Sequence, residues 1–304
     1  MPVPTPQPWV WPGAERRAAD DRLATLVALL SVALGLASAL TWGAGDFCGG
    51  LAARRSPVYG VVLVSQFVGL GLLAALAFFL AEPLPPVGDL LLAGTAGLAG
   101  GVGLLALYHG LAVGPMGAVA PIAAVISAGL PALFGTWFEG LPLPRQLVGF
   151  ALALFAVWLL SGGGEASRVR IRSLLLAALA GLGFALFMIL VGRLSESAVL
   201  WPLSVARVAS ILLLLAAVLV LRQSARPGDG QLPLLLLVGL LDTAGNTFYA
   251  MAARAGRLDV AAVVSSLYPA ATVLLARSVL SERIAGRQWL GLLAALVAVL
   301  LIAR

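Results

Sequence analysis

Two acids interrupt long apolar runs of this chain. Asp46 ends the string Gly43-Ala44-Gly45-Asp46 in "TWGAGDFCGG", and Asp242 stands in "LLLLVGLLDTAGNTFYAMAA", close to the middle of its apolar stretch. A carboxylate inside a bilayer costs about 2.5–3.5 kcal/mol on insertion scales, so such groups face protein or water and mark pathways, proton relays or catalytic sites. Two of them could share a proton and hydrolyse a peptide bond, or one could hold a substrate amine or cycle a proton. Around Asp242, Asn246 and Tyr249 follow at i+4 and i+7, which places acid, amide and phenol on one helical face expected to line a cavity. A second polar stripe, Ser265, Tyr268 and Thr272, is interrupted by Pro269, which removes a backbone hydrogen bond and can bend the helix or expose a carbonyl. Arg207 lies inside another apolar run, where the simplest expectation is that it snorkels toward an interface.

Positioning these groups requires membrane-spanning helices. The 304 residues are 61% hydrophobic and 11% charged, with a mean hydropathy of +1.05. A span of ~30 Å at 1.5 Å per residue takes about 20 apolar residues. Reading between charges and Pro/Gly clusters predicts ten helices near 24–47, 57–81, 89–110, 116–138, 143–161, 173–193, 199–221, 232–253, 260–280 and 286–303. The expected fold class is all-α and polytopic. The net charge of +6 is scattered between apolar runs as topology determinants, not gathered into a nucleic-acid surface. Basic residues divide so evenly between the two sides that the positive-inside rule does not set orientation. All basic residues are Arg, and the chain is rich in Ala, Gly, Leu and Pro, as in a GC-rich bacterial coding sequence; the expected location is a bacterial plasma membrane.

Residues 1–22, with five Pro in the first twelve, read as a disordered or interfacial tail carrying Trp9 and Trp11, unlike a signal peptide. Cys48 is the single cysteine and His109 the single histidine, so an intrachain disulfide, a cysteine metal cluster and zinc hydrolase chemistry fall away. No cofactor or metal is expected. His109 reads as interfacial or structural.

The chain repeats itself. "RQLVGFALALFAVWLL" (145–160) over "RQWLGLLAALVAVLLI" (287–302) has eight identities in sixteen positions, and "GLASAL" (35–40) echoes "GLGFAL" (181–186). The expected halves are 23–161 and 173–304, joined by the loop 162–172. Five helices per half is an odd number, so the second copy enters from the opposite side. Inverted repeats are the architecture of many secondary transporters, with a substrate site near the midplane. Gly149-x-x-x-Ala153 and Gly291-x-x-x-Ala295 occupy equivalent positions and predict that the fifth and tenth helices pack together. Glu139 and Glu282 end the fourth and ninth helices near Arg145 and Arg283, where topology or interfacial ion pairing is expected.

The motifs "LTWGAGDF", "YHGLAVGPMGAVAPI", "FYAMAARAGRLDVAAVVSSLYP", "FEGLPLPRQLVG" and "LSERIAGRQWLG", in this order, resemble those of the drug/metabolite transporter superfamily and its EamA-type members. The resemblance implies a ten-helix bundle with cytoplasmic termini, a central cavity, and export of a small organic metabolite or an amino-acid-like or toxic compound. It places Trp42 in the first-helix motif, Tyr268-Pro269 in the ninth-helix motif, and Glu139 and Glu282 at the two post-helix glutamates. The first half offers Pro121 and Pro131 in place of a Tyr-Pro. The candidate pathway is therefore Trp42, Asp46, Asp242, Asn246, Tyr249, Ser265, Tyr268 and Pro269, with Asp242 the favoured carboxylate because Asp46, eight residues before Arg54, reads as near the headgroups. Partners implied are the bilayer and a small-molecule substrate, with protons a candidate coupling ion and a homodimer a candidate assembly. The competing reading is an intramembrane aspartyl protease with Asp46 and Asp242 as its dyad. Against it, Leu precedes Asp242 where that family has Tyr, and the G-x-G-D string comes before its partner instead of after it.

Overall fold

Hydrocarbon offers no partner to a backbone N–H or C=O, so each apolar run must satisfy its own peptide groups as helix. A computed structural model describes residues 12–53, 55–113, 116–161, 171–195, 197–280 and 284–303, and helix is the only regular secondary structure among them. The helices are α1 (Pro12–Ala53), α2 (Val58–Phe79), α3 (Val87–Val113), α4 (Met116–Glu139), α5 (Pro144–Ser161), α6 (Ile171–Gly192), α7 (Leu200–Val220), α8 (Leu232–Ala255), α9 (Leu258–Ser265), α10 (Tyr268–Leu280) and α11 (Gly286–Ala303). Nine described stretches are long and apolar enough to cross a bilayer, and Pro144–Leu160 is a shorter apolar helix. The chain is a multi-pass membrane protein.

Two departures from the sequence expectation matter. Helix α1 starts at Pro12, so residues 12–22, expected in the tail, are helical; Pro suits a first helical position because its missing N–H has no intrahelical acceptor there. Residues 1–11 lie outside the described residues. The expected ninth helix is broken into α9 and α10 by a turn at Ser266–Leu267, and Pro269 occupies the second position of α10.

Helix ends define two faces of the bundle. On one, Glu139 at the end of α4 meets Leu258 at the start of α9, Glu82 after α2 meets Val199–Trp201 at the start of α7, and Ser195 after α6 meets Asp89 at the start of α3. On the other, Ser56 before α2 meets Gly228 after α7, and Leu159 of α5 meets Arg287 of α11. Successive spans alternate, so α1 and α6 start from opposite faces.

Packing crosses the chain midpoint throughout: α1 lies along α8, α3 along α6, α2 against α7 and α5 against α11. Helices α1 and α8 run antiparallel, because Ser31 Oγ donates to Ala252 O at 2.9 Å and Ser38 Oγ to Gly245 O at 2.9 Å, one sequence rising as the other falls. Small residues permit the approach. A Cβ at Gly183 would lie 2.6 Å from the Ala99 carbonyl and 2.7 Å from Gly103 Cα on α3. Gly149 faces Ala298 and Ile302 of α11, and Gly291 faces Ala156 and Leu160 of α5, as the sequence pairing of these helices expects. Leu40, Phe79, Trp137 and Leu219 remain exposed, as lipid-facing side chains must.

The Gly183 contact is with backbone, which cannot rotate away. Gly183→Val should therefore separate α6 from α3 and cost about 1–3 kcal/mol, read as a lowered thermal unfolding midpoint in detergent. Gly71→Ala, where nothing lies within 4 Å, should leave the midpoint unchanged.

Candidate functional site

Asp242 sits ten residues into α8, about 15 Å along the helix, at a depth where a lone charge is untenable. Its partner is Arg207 of α7: Nη2 lies 2.5 Å from Asp242 Oδ2. The guanidinium also donates through Nη1 to Gln66 Oε1 of α2 at 2.7 Å and through Nη2 to Thr243 Oγ1 at 3.5 Å. Gly69 of α2 makes room, since a Cβ there would lie 3.1 Å from Arg207 Nε. Only 7% of the Arg207 side chain is exposed, against 36% for Asp242. The expectation that Arg207 snorkels is thus corrected: its stem turns inward because a fixed carboxylate and amide wait there, and an inward pair costs less than a long reach to water.

Asp46 is deeper than its distance from Arg54 suggested. Gly45 packs against Leu241 and Asp242 of α8, with a Cβ there 3.5 Å from the Asp242 amide nitrogen. Seven residues, or about 10 Å, separate Asp46 from the end of α1 at Ala53. The side chain is exposed, yet it falls on the inward face of α1. Helical spacing puts it with Ser31, Gly35, Ser38 and Trp42, which meet α8 or α9. Its exposure is therefore to the bundle interior. Asp242 and the Tyr268 phenol both lie within electrostatic range of Asp46, and among the described residues Asp46 forms no hydrogen bond or ion pair.

The remaining candidates divide. Trp42, partly exposed, is fixed by its Nε1 donating to Asn246 Oδ1 at 3.2 Å, by stacking on Tyr249 at 5.8 Å between centroids, and by an edge contact to Tyr268 at 6.5 Å. Gly245 lies directly beneath the indole, where a Cβ would clash. Tyr268 is partly exposed and borders the same interior. Asn246 is buried, and Tyr249 is fully buried with its hydroxyl donating to Met188 O of α6 at 2.7 Å. The face Asp242-Asn246-Tyr249, expected to line an open cavity, is instead a seam against α1 and α6, open at the Asp242 end. Ser265 also departs from expectation. It is fully buried near Gly35 of α1, with its Oγ unpartnered. The helix break after it takes it off the stripe with Tyr268 and Thr272. Thr272 donates to Gly43 O at 3.0 Å, tying α10 to α1.

Glu139 caps α9: its carboxylate accepts the Leu258 N–H at 3.1 and 3.3 Å, where the helix dipole favours negative charge. Its expected pairing with Arg145 is not formed. Arg257 instead donates to the Gly140 carbonyl at 2.6 Å and pairs with the fully buried Asp259 at 2.6 Å. The bond to Asp259 raises the pKa of this guanidinium above its ordinary value. Glu282 lies outside the described residues. His109 is exposed, its Nδ1 3.0 Å from Leu105 O, near the Tyr59 ring.

Sequence reading missed Gln66, Glu82 and the Arg207–Asp242 pairing. Glu82 accepts three N–H groups at the start of α7, from Val199, Leu200 and Trp201, at 2.7 to 3.0 Å. A signal for the ion pair existed: one basic and one acidic residue, each near mid-span, each needing a partner. None existed for Glu82, whose acceptor role depends on a turn meeting a distant helix.

Residues 171–304 match the model of the EamA-like transporter family. No curated relative matches the chain. A solved crystal structure of a protein is similar with a TM-score of 0.74, covering 89% of this chain and 95% of its own at 16% identity, a likeness of fold.

Removing one member of a buried ion pair strands the other. Asp242→Asn should leave Arg207 uncompensated and destabilise by ~2–3 kcal/mol, below the ~3–5 of a wholly buried pair because Asp242 is partly open. Adding Arg207→Met should restore much of the loss in thermal denaturation in detergent. Additive losses would show that the two charges are not coupled.

Proposed function

We propose that this protein, a multi-pass membrane transporter of the drug/metabolite type by the family of its second half, exports a small organic compound by alternating access between two inverted five-helix halves. The halves are 23–161 and 173–304, joined by 162–172, in a bacterial plasma membrane. Three features support the inverted reading. The first and sixth spans start from opposite faces. Exchanging the halves maps α1 against α8 onto α6 against α3, and α4 against α6 onto α9–α10 against α1; it maps α2 against α7 and α5 against α11 onto themselves. The internal sequence repeat follows the same exchange. Each half is thereby packed on the other, so one can rock against the other without either unfolding.

The observation that carries the assignment is Asp46: an exposed, unpartnered carboxylate on the interior face of α1 at membrane depth. Among the two embedded acids it takes the role first given to Asp242, whose charge is already answered by Arg207. The same pair weighs against the protease reading. A dyad works because two carboxylates hold one proton between them, whereas Asp242 shares its charge with a guanidinium at 2.5 Å.

Flux from proteoliposomes across a metabolite panel, with and without a pH gradient, tests the proposal. Asp46→Asn should reduce flux by at least about tenfold, the size of one lost charge-assisted contact, while its unfolding midpoint stays within a degree or so of wild type. Asp242→Asn should lose both. Flux in the wild type that Asp46→Asn leaves untouched would remove Asp46 from the pathway; cleavage of a transmembrane peptide lost in both variants would favour the protease.

A further inference from the structure

We infer that the site at Asp46 takes an organic cation: a primary or substituted ammonium head carried on an apolar, aromatic-sized body. This rests on the transporter reading and adds the chemical class of its substrate. Among the described residues, the charges facing the site can be counted from each helix around it. From α1 comes Asp46, from α8 Asp242, from α7 Arg207; α2 adds the neutral amide of Gln66 and α10 the phenol of Tyr268. Arg207 and Asp242 cancel, which leaves the carboxylate of Asp46 in excess. A carboxylate enclosed by helices at this depth is stabilised by a counter-charge brought to it.

Among the described residues, a substrate carboxylate or phosphate finds no counterpart. Arg207 is 7% exposed and its donors are directed to Asp242, Gln66 and Thr243. Arg277 of α10 is not a substitute, for its guanidinium lies 5.9 Å from the ring centroid of Trp289, an exposed residue of α11. An anion or zwitterion would thus place its negative end near Asp46 with nothing to balance it. The walls fit a cation as well. Trp42 lies one turn from Asp46 on the same face of α1, and Tyr268 meets it edge-on, so two partly exposed aromatic rings border the carboxylate. Ring faces attract cations, more strongly when water is excluded, and the same rings accept an apolar body. The Tyr268 hydroxyl makes no hydrogen bond among the described residues, so it can accept from an ammonium N–H.

The experiment uses four probes of one shape and different charge: phenethylamine, phenylalanine, phenylacetate and phenethyl alcohol. Binding to the purified full-length protein in detergent is measured by titration calorimetry, and flux of each by proteoliposome assay. The wild type should bind phenethylamine at least about tenfold more tightly than the alcohol, with phenylalanine and phenylacetate weaker than both. Asp46→Asn should bind amine and alcohol alike, whereas Asp46→Glu should keep the order. Both variants are first checked for a wild-type unfolding midpoint. Equal or tighter binding of the acid or the zwitterion, an amine preference that survives Asp46→Asn, or no binding of the amine overturns the inference. Failure of the underlying reading looks different. Flux of the acid without the amine keeps the transporter and sinks the cation site. Amine binding lost in Asp46→Asn, with no flux of any probe, keeps the site and sinks transport.

Discussion

Charge neutrality within the hydrocarbon is the constraint from which the arrangement follows. Arg207 cannot be left alone on α7, nor Asp242 on α8, and their contact at 2.5 Å fixes how those helices face each other. Gln66 draws α2 into the same cluster, and Gly69 is the vacancy on α2 that lets the guanidinium through. Such a pair adds little net stability compared with apolar packing, but breaking it is costly. It therefore works as a register pin. With α2, α7 and α8 set by polar contacts, α1 has one surface left to cover, and it does so with small residues: Ser31, Ser38 and Gly45 meet α8 in turn. That close approach brings Asp46 beside Asp242 while leaving it outside the ion pair.

A second consequence concerns where the polar ends of helices go. The N–H groups at the starts of α7 and α9 are capped by Glu82 and Glu139, acids just after α2 and at the end of α4 in the other half of the chain. Each cap joins the end of one helix to the beginning of another five spans later. Contacts of this kind sit at a face of the bundle, not in its middle, and can part with water as the replacement partner. Interior contacts such as Ser38 on Gly245 have no such substitute. Motion between the halves is cheaper at the faces than at the α1–α8 seam, so the caps are expected to part before that seam opens.

Much of the fold was legible because hydrocarbon imposes simple rules on sequence. Segment lengths, the ten spans and the pairing of Gly149 and Gly291 surfaces all follow from apolar run length and small-residue spacing. The site was legible by residue type and less so by arrangement. Asp46, Trp42 and Tyr268 lie near one another where α1 meets α10, whereas Tyr249 and Ser265, equally polar and equally periodic, are buried in helix–helix seams. Periodicity says which residues share a face of one helix; it does not say which neighbour that face meets. Depth suffered similarly. Asp46 stands eight residues before Arg54 in the chain, yet the residue that sets its level is Asp242 on an antiparallel helix almost two hundred positions away.

The break between α9 and α10 belongs to the same argument. Pro269 has no N–H to return to the Ser265 carbonyl, which weakens the span at this point, and the chain turns at Ser266–Leu267 before restarting at Tyr268. The restart is where α10 touches α1: a Cβ on Gly43 would strike the Tyr268 carbonyl, and Thr272 donates to the Gly43 carbonyl at 3.0 Å. Helix α9 has its start capped by Glu139 and packs on α4 as well as on α1. One membrane span thus has two anchorages, one on each side of a turn at the level of the aromatic pair. A straight helix would transmit a shift at the Glu139 end directly to Tyr268. A broken one loosens that coupling, so Tyr268 keeps its place against Gly43 of α1 and the carboxylate it borders.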